Sequence, residues 1–389
     1  MVTCPSSQSA PVTPSPSSTL SPDACLRLLL GDLSMLSTLL GVGTGVVLQE
    51  GVSSLIAQMR EAMHTTPESE RGLHIGFLLM LYAYTGAYPC DNGLSSFEVA
   101  IPEPLKTEGS GAFGTCIRGV FLGTQQVVLK SLYSDDKAKV AERLRREATL
   151  WKQLRHPRIL RFIGLHTAGD ITYMVSPWME NGHATAYVTN HPDMNCLNLL
   201  LQIAEGLQYL HNSGIVHGDV RGPNILISTS GDACIADFGL SNALADFNPQ
   251  LYSTLWHTGG NPRWVAPELM ITLEPGTATR RPLRTKESDV FSFGRVIVEL
   301  TTACAPFAEV GSDYDIPSKV KAGEIPMRPV GEAVAARGLV DDVWNLAQEC
   351  WSYDPASRPT ATEVFQRLQS VARNCVPARS TSDQGLLLT

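Results

Sequence analysis

No C-x-x-C pair occurs among the nine cysteines of this 389-residue sequence, and no cluster of histidines accompanies them. An odd number of scattered cysteines in a long chain favours reduced thiols over a zinc site or a disulfide framework. Positive charge is also scarce, because 30 Lys and Arg oppose 38 Asp and Glu and the formal net charge is −8. This balance argues against bulk nucleic-acid binding and allows only local basic patches.

The N-terminus lacks the basic start and the apolar run of a secretory signal. Together with the scattered cysteines, this absence predicts a cytoplasmic protein. Serine, proline and threonine are abundant in residues 1–23, and this composition predicts a disordered tail. Hydrophobic residues make up 43% of the chain and charged residues 17%, so most of the remainder should fold around a core.

Apolar residues recur at helical spacing in residues 24–103, which we predict to be a helical extension of unknown role. Leucines recur at spacings of three and four between Leu26 and Leu40, which places them on one helix face. Two more apolar segments span residues 46–63 and 72–88. A polar stretch with one proline separates them and is expected to be a linker.

Two stretches of this extension, residues 33–49 and 72–90, carry no formal charge. Their lengths approach the roughly 20 residues that span a bilayer. Membrane association through residues 33–90 is therefore an alternative to a cytoplasmic location. The glycines and hydroxyl residues of the first stretch, and His74 and the tyrosines of the second, favour a buried helical hairpin.

The most informative stretch covers residues 215–240. The motif H-G-D-V-R-G-P-N begins at His217, and D-F-G begins at Asp237, thirteen residues after Asn224. Two short apolar runs lie between these motifs and flank the turn signal Ser-Gly-Asp at residues 230–232. This pattern predicts a β-hairpin that carries acidic or amide side chains at both ends.

Phosphoryl transfer needs side chains of this kind. One carboxylate orients the attacking hydroxyl and accepts its proton, while a second carboxylate and an amide oxygen hold magnesium against the phosphates. The stretch resembles the catalytic loop and the magnesium-binding loop of the protein kinases. The resemblance implies that Asp219 is the base and that Asn224 and Asp237 bind the metal.

A G-x-G-x-x-G motif lies upstream, and in a dinucleotide-binding fold a helix would follow it directly. Strand-like residues follow here instead, with a turn at Gly123. Strand, glycine turn and strand is the kinase arrangement, in which the backbone amides of the loop cover the ATP phosphates. The resemblance implies a loop made of Gly109, Ser110, Gly111, Ala112, Phe113 and Gly114, with Cys116 over the adenine.

The segment V-V-L-K that ends at Lys130 resembles the family's V-A-I-K motif. The implied partners of this lysine are the α- and β-phosphates and a glutamate on the next helix, predicted over residues 136–154. Glu142 and Glu147 are both candidates. The R-H-P motif that follows the helix favours Glu147, and Glu142 is then expected to be a solvated surface charge.

Six motifs in the family's order cover residues 104–374, and we identify the chain as a member of the protein-kinase superfamily. The resemblance implies an α+β, two-lobed protein-kinase fold with a small β-rich N-lobe and a larger helical C-lobe. Residues 375–389 would form a flexible tail. The motifs R-W-V-A-P-E, which begins at Arg263, and C-W-x-x-D-P-x-x-R-P, which begins at Cys350, resemble those of the tyrosine-kinase-like branch. The motif that begins at His217 resembles that of the expanded kinases of basidiomycete fungi.

The same resemblance implies a complete catalytic set for ATP and Mg²⁺, with Ser176 as the gatekeeper of the hinge. Catalysis would use Asp219, Lys130, Arg221 and Asn224, and Mg²⁺ would bind Asn224 and Asp237. The nucleotide would also contact Cys116, Val128, Lys130, Glu147, Ser176, Pro177, Met179, Leu226 and Asp237. Structural contacts are implied as well: a stack of Trp151, His217 and Phe238, bonds from Asp289 to the catalytic loop, and an ion pair between Glu268 and Arg358.

Several positions depart from the family pattern. Gly218 replaces the arginine that usually captures a phosphorylated activation loop, so activity is not expected to depend strictly on phosphorylation there. Arg221 and Asn261 replace a typical lysine and threonine and leave tyrosine open as the acceptor, although the branch favours serine or threonine. The extra loop at 271–286 is basic and predicts either a solvated insertion or a docking patch for an acidic substrate.

A protein kinase that phosphorylates a protein substrate with ATP is thus the favoured function, without a nucleic-acid partner. A pseudokinase, or nucleotide-binding signalling scaffold, is the alternative, and Gly218, Cys116, Arg221 and Asn261 are the features that support it. None of these departures removes a required charge. A membrane-anchored, receptor-like kinase is a third possibility and would use residues 33–90.

Overall fold

The computed structural model describes two compact units, which divide between Asn92 and Gly93. It describes residues 45–85, 88, 93–103, 107–111, 114–132, 137–243, 261–270 and 283–375.

The first unit contains two helices, α1 (Gly45–Thr65) and α2 (Arg71–Thr85), joined through a 3-10 turn at Glu68–Glu70. The Arg71 side chain closes the connection, since its Nε donates to the carbonyl of Met63 at 3.1 Å. Fully buried side chains line the contact between the helices: Ile56, Met59, Met63, Leu78 and Leu81. The predicted helices over 46–63 and 72–88 are thus present, whereas the expected helix over 24–44 lies outside the described residues.

Membrane spanning was an alternative for this unit. Searching the part of the chain that the structure describes finds no helix with the length and apolar character needed to cross a bilayer.

The second unit begins with a twisted sheet that forms the small lobe. Its strands are β1 (Gly93–Leu94), β2 (Val99–Ala100), β3 (Thr107–Gly111), β4 (Gly114–Phe121), β5 (Gln125–Leu132), β6 (Gly164–Ala168) and β7 (Ile171–Pro177). The order is β1-β6-β7-β5-β4-β2, with β3 also paired to β4, and only the β1–β6 pair among these strands is parallel. The sheet therefore includes residues before Pro104, where the sequence analysis set the start of the catalytic domain.

The β4–β5 hairpin shows how local sequence builds this sheet. Three residues, Leu122 to Thr124, connect the paired Phe121 and Gln125. Leu122 and Gly123 both have positive φ, 47° and 72°, as in the turns whose twist matches that of paired strands. In β5 the side chains alternate, so that Val127 and Leu129 are buried whereas Val128 and Lys130 are partly exposed. This alternation places Lys130 on the open face of the sheet.

Helix α3 (Lys137–Trp151) lies between β5 and β6 in the chain and belongs with the small lobe, because its Glu147 pairs with Lys130 of β5. The large lobe is mainly helical. Its helices are α4 (Ala184–Asn190), α5 (Leu197–Asn212), α6 (Lys286–Thr302), α7 (Ile316–Lys321), α8 (Glu332–Ala336), α9 (Asp341–Cys350) and α10 (Ala361–Cys375). Helix α6 is almost entirely buried and begins at a capping box formed by Thr285 and Ser288. The predicted α+β, two-lobed architecture is confirmed.

Two short strand pairs lie where the lobes meet. Strands β9 (Ile225–Ile227) and β10 (Ala233–Ile235) form the predicted antiparallel hairpin. Strand β8 (Ile215–Val216) pairs with β11 (Asn242–Ala243) just before and just after the stretch that carries the motifs. These pairs bring the two motif loops together, because the loop at His217 lies between β8 and β9 and the loop at Asp237 lies between β10 and β11.

Candidate active site

Asp289, in the first turn of α6, holds the backbone of the catalytic loop. Its carboxylate accepts the backbone N–H groups of His217 and Gly218, both at 2.8 Å. Nε2 of His211 in α5 lies 3.0 Å from the same carboxylate. The expected bonds from Asp289 to the catalytic loop are confirmed, and they hold the peptide next to Asp219 in place.

Asp219 is nearly buried and is oriented by two residues of its own loop. Nε of Arg221 donates to Oδ2 of Asp219 at 3.0 Å. Nδ2 of Asn224 donates to the same oxygen at 2.7 Å and to the backbone carbonyl of Asp219 at 2.8 Å. Because the amide nitrogen of Asn224 faces Asp219, its amide oxygen is the atom that remains as a possible metal ligand.

Lys130 lies between two carboxylates. Its Nζ is 2.7 Å from Oδ1 of Asp237 and 3.7 Å from Oε1 of Glu147 in α3. Burial lowers the pKa of Lys130, but the two carboxylates outweigh burial and raise it overall. Burial raises the pKa of Asp237, but Lys130 outweighs burial, so this pKa is lowered overall.

Glu147, not Glu142, is the partner of Lys130. The side chain of Glu142 is 44% exposed and pairs with Arg145, one turn further along α3, at 3.0 Å. Glu147 is 6% exposed, and burial raises the pKa of its carboxyl group. Its Oε1 is buried and has no hydrogen-bond partner in the described part of the chain, so the ion pair with Lys130 at 3.7 Å is the charge contact of this oxygen.

Aromatic rings connect α3 to the magnesium-binding loop. The ring centroids of Trp151 and Phe238 are 5.7 Å apart, and those of His217 and Phe238 are 5.4 Å apart. Nε1 of Trp151 donates to the carbonyl of Leu160 at 2.6 Å. The expected stack is confirmed, and it keeps α3 close enough for Glu147 to reach Lys130.

The residues predicted to contact the nucleotide lie on one face of the sheet and in the segment that follows β7. Cys116 in β4 is opposite Lys130, and Val128 is opposite Ser176. Ser176 and Met179 are buried, whereas Cys116, Val128, Pro177 and Leu226 are partly exposed. Gly109, Ser110, Gly111 and Gly114 belong to the β3–β4 hairpin, and Ala112 and Phe113 lie outside the described residues.

The donors in this cleft fit Mg²⁺ and ATP. Hard cations such as Mg²⁺ prefer carboxylate and amide oxygens, and Asp237 and Asn224 supply these two types. Asp237 has φ of 64°, an uncommon value for a residue other than glycine. Such backbone conformations tend to be kept at functional sites. Lys130 adds a cation on the same face for the phosphates.

The substrate side of the cleft is held by Glu299 of α6, a residue that the sequence analysis did not single out. This buried carboxylate accepts Thr185 Oγ1 at 2.6 Å, Gly222 N at 2.9 Å and Trp264 Nε1 at 2.9 Å. It therefore ties α4, the catalytic loop and the segment before Glu268 to one helix. A buried acid in an apolar helix was the available signal, but its partners are distant in sequence.

Arg263 is fully engaged in structural contacts. Its Nε donates to Asp313 at 2.7 Å, Nη1 donates to the carbonyls of Pro306 and Phe307, and Nη2 donates to the carbonyl of Val310. These bonds leave the guanidinium committed to the loop after α6. We therefore do not expect Arg263 to capture a phosphate.

The expectation for the basic loop at 271–286 is wrong at Arg284. This residue was expected to be solvated or part of a docking patch, yet it is 5% exposed. Glycine at position 218 leaves space for it, and the charges of Asp219 and Asp289 attract it. Arg280 and Arg281 lie outside the described residues.

A two-lobed fold that gathers a paired lysine, two magnesium-type ligands and an oriented aspartate in its cleft has the architecture of a protein kinase. The chain belongs to the protein tyrosine and serine/threonine kinase family, whose model matches residues 104–368.

Curated relatives agree with this family and are mostly longer proteins. The chain is 28% identical to the serine/threonine-protein kinase CTR1 of Arabidopsis thaliana, over 71% of this chain and 32% of the relative. It is 28% identical to the serine/threonine-protein kinase VIK of the same plant, over 68% of this chain and 58% of the relative. It is 31% identical to the human ephrin type-A receptor 8, over 66% of this chain and 24% of the relative. The chain thus matches less than two thirds of each of these relatives.

Proposed function

We propose that this chain is a protein kinase that transfers the γ-phosphate of Mg-ATP to a serine or threonine hydroxyl of a protein. One observation carries the proposal: Lys130 bridges Asp237 and Glu147 in the cleft that also holds Asp219. Keeping three buried or half-buried charges together in one cleft is costly, and groups perturbed in this way are concentrated at functional sites.

Each residue has a distinct role in this proposal. Lys130 orients the α- and β-phosphates, and Asp237 and Asn224 hold the magnesium that neutralises them. Asp219 orients the substrate hydroxyl and takes its proton. Arg221, which donates to Asp219 at 3.0 Å, places a positive charge beside the transferred group.

Two observations favour serine or threonine as the acceptor. Arg221 keeps the positive charge that a lysine supplies at this place in serine/threonine kinases. Both plant relatives carry serine/threonine-protein kinase in their names. We also infer membership of the tyrosine-kinase-like branch from the motifs at Arg263 and Cys350, and a relation to the basidiomycete kinases from the motif at His217.

The test is a transfer assay with radiolabelled ATP, magnesium and a generic acceptor protein. Asp219→Asn is the matched control, since it preserves shape and hydrogen bonding but removes the base. Acid hydrolysis of the labelled protein then identifies the phosphorylated residue type. Label on serine or threonine, lost in Asp219→Asn, supports the proposal. Binding of Mg-ATP without transfer would establish the nucleotide-binding scaffold instead.

We further propose that residues 104–374 supply the catalytic domain, with 1–23 and 375–389 as tails and 24–103 as a helical extension. Strands β1 and β2 lie before residue 104 and pair with β6 and β4, so a folding fragment should start no later than Gly93. A cytoplasmic location is proposed because the described cysteines are unpaired: Cys116, Cys196, Cys234, Cys304 and Cys350.

A further inference from the structure

Arg284 reaches the catalytic loop from the segment just before α6. The residue is 5% exposed. One of its guanidinium nitrogens, Nη1, donates to the carbonyl oxygen of Gly218. A permanent cation is thus buried against the residue that directly precedes Asp219.

Only glycine at position 218 leaves room for this contact. Gly218 has φ of +83°, a region that residues with side chains rarely adopt. A Cβ at this position would lie 2.7 Å from Cδ of Arg284 and 2.7 Å from the carbonyl oxygen of Leu240. The missing side chain at 218 and the buried arginine are therefore two parts of one packing arrangement.

Both polar groups of Gly218 are held by charged side chains. Its N–H donates to Asp289 at 2.8 Å, and its carbonyl accepts from Arg284. Burial lowers the pKa of Arg284, and the negative charges of Asp219 and Asp289 oppose this effect. An arginine keeps its charge in such surroundings, so the catalytic loop is clamped between a fixed cation and a fixed anion.

On the basis of the proposed kinase function, we propose that Arg284 is a positioning residue for Asp219. It fixes the peptide between Gly218 and Asp219 and supplies a constant positive charge that residue 218 cannot provide. Because this charge belongs to the chain and is already buried, the geometry of the base needs no added phosphate. Misplacing a catalytic group by about 1 Å costs on the order of 100-fold in rate, so kcat is the quantity that should respond.

The first test compares Arg284→Met with Arg284→Lys in the full chain. Methionine keeps an unbranched side chain but removes the charge and the donors, whereas lysine keeps the charge and one donor group. We expect Arg284→Met to lower kcat about 10- to 100-fold. The KM for ATP should stay within about twofold, because other residues bind the nucleotide. Arg284→Lys should recover part of kcat.

A matched control removes an equally buried guanidinium elsewhere. Arg337 is 7% exposed and donates to the carbonyls of Thr301 and Leu300. Arg337→Met should lower Tm while leaving kcat unchanged when all proteins are assayed well below their Tm. An equal loss of kcat in this control would mean that general destabilisation explains the effect and would overturn the positioning role.

Hydrogen exchange gives a second readout that does not depend on activity. We expect faster exchange at residues 217–224 in Arg284→Met than in the wild type, with the pattern of Arg284→Lys between them. If the wild type binds Mg-ATP but transfers no phosphate, the proposed kinase function fails. Faster exchange at residues 217–224 in Arg284→Met than in the wild type would still support the positioning role of Arg284. Wild-type kcat in Arg284→Met, or unchanged exchange at 217–224, would overturn the inference.

Discussion

Glu268 and Arg358 lie ninety residues apart in sequence and form a bidentate ion pair. Nη1 of Arg358 is 2.7 Å from Oε1 of Glu268, and Nη2 is 2.8 Å from Oε2. The arginine side chain is fully buried, and that of the glutamate is 26% exposed. Arg358 also donates to the carbonyls of Ser352 and Glu287, so the pair fixes the end of the activation segment to the large lobe.

Glu268→Gln should therefore destabilise the protein. Removing one partner of a buried pair leaves an uncompensated charge, which costs about 3–5 kcal/mol, and the partial exposure of Glu268 reduces this to about 1–3 kcal/mol. Urea denaturation measures the loss. The exposed pair of Glu349 and Arg367 provides the control: Glu349→Gln should cost less than about 1 kcal/mol. Equal losses in both variants would contradict the structural importance of the Glu268 pair.

Lys130→Met should remove nearly all transfer activity while preserving the fold. Asp237 and Glu147 would lose their shared cation, and the pKa of Asp237 should rise because Lys130 is what lowers it. We expect kcat to fall on the order of 1,000-fold, as for other losses of preorganised charge. Circular dichroism checks the fold, and Lys152→Met, at an exposed lysine just after α3, is the control. Turnover near the wild-type value would show that Lys130 does not orient the phosphates.

Ser176→Phe should exclude bulky inhibitors that extend behind the adenine site and should spare ATP. Ser176 is 6% exposed and lies in β7 opposite Val128. A phenyl ring there would occupy the space behind the nucleotide, and overpacking of this kind costs about 1–3 kcal/mol, or about 10-fold or more in inhibitor affinity. Ser176→Thr adds a single methyl group and should have a smaller effect. Unchanged inhibitor affinity in Ser176→Phe would place the back wall of the pocket at another residue.

His183 should make the folded protein less stable in mild acid. Its Nδ1 accepts the backbone N–H of Ala186 at the start of α4, at 3.2 Å, and only the unprotonated nitrogen can do so. Burial, and then the charge of Arg221, lower the pKa of His183 below 6.5. The unfolded chain then binds the proton at higher pH, so this stability is complete above about pH 6.5 and is lost as the pH falls below it.

The matched variant is His183→Asn, which keeps a good helix cap and removes the titration. Urea denaturation at about pH 7.5 and about pH 5.5 should show a smaller loss of stability on acidification in this variant than in the wild type. His156 has a lowered pKa for the same main reason, burial, so part of the acid sensitivity should persist. An identical loss in both proteins would exclude His183 as a contributor.

Local motifs allowed much of the site to be predicted from the sequence. The hairpin of β9 and β10, the Lys130–Glu147 pair and the Glu268–Arg358 pair are present as expected. In each case a short motif marks the residue, and the family resemblance supplies its distant partner. The R-H-P motif favoured Glu147 over Glu142, and the structure pairs Glu147 with Lys130.

Features without a local signal were missed. Strands β1 and β2 have two residues each, too few to show an alternating pattern, and β1 pairs with a strand some seventy residues later. Arg284 looked like one more charge in a basic loop, because its burial depends on the space beside Gly218, 66 residues earlier. No local sequence pattern near Gly218 or Arg284 predicts the contact between them.

Activity should be largely independent of phosphorylation of the activation segment. Trp264 is buried and donates to Glu299, and Arg358 holds Glu268, so part of this segment is held without phosphate. Trp256 was expected to contribute and lies outside the described residues. We expect phosphatase treatment to change kcat by less than about twofold. Loss of nearly all activity would contradict this account. Arg263 would not be the residue that binds the phosphate, because its guanidinium is already bonded to the loop after α6.

Restoring an arginine by Gly218→Arg should lower activity, and the structure gives a steric reason beside the electrostatic one. A Cβ at this position meets Arg284 and the backbone of Leu240, and the positive φ of Gly218 disfavours any side chain. Gly218→Ala separates the two causes, since it adds the Cβ without a charge. We expect both variants to lose at least about 10-fold in kcat, because both displace the peptide that positions Asp219. If Gly218→Ala keeps wild-type kcat and only Gly218→Arg is impaired, then an unpaired guanidinium rather than crowding is the cause.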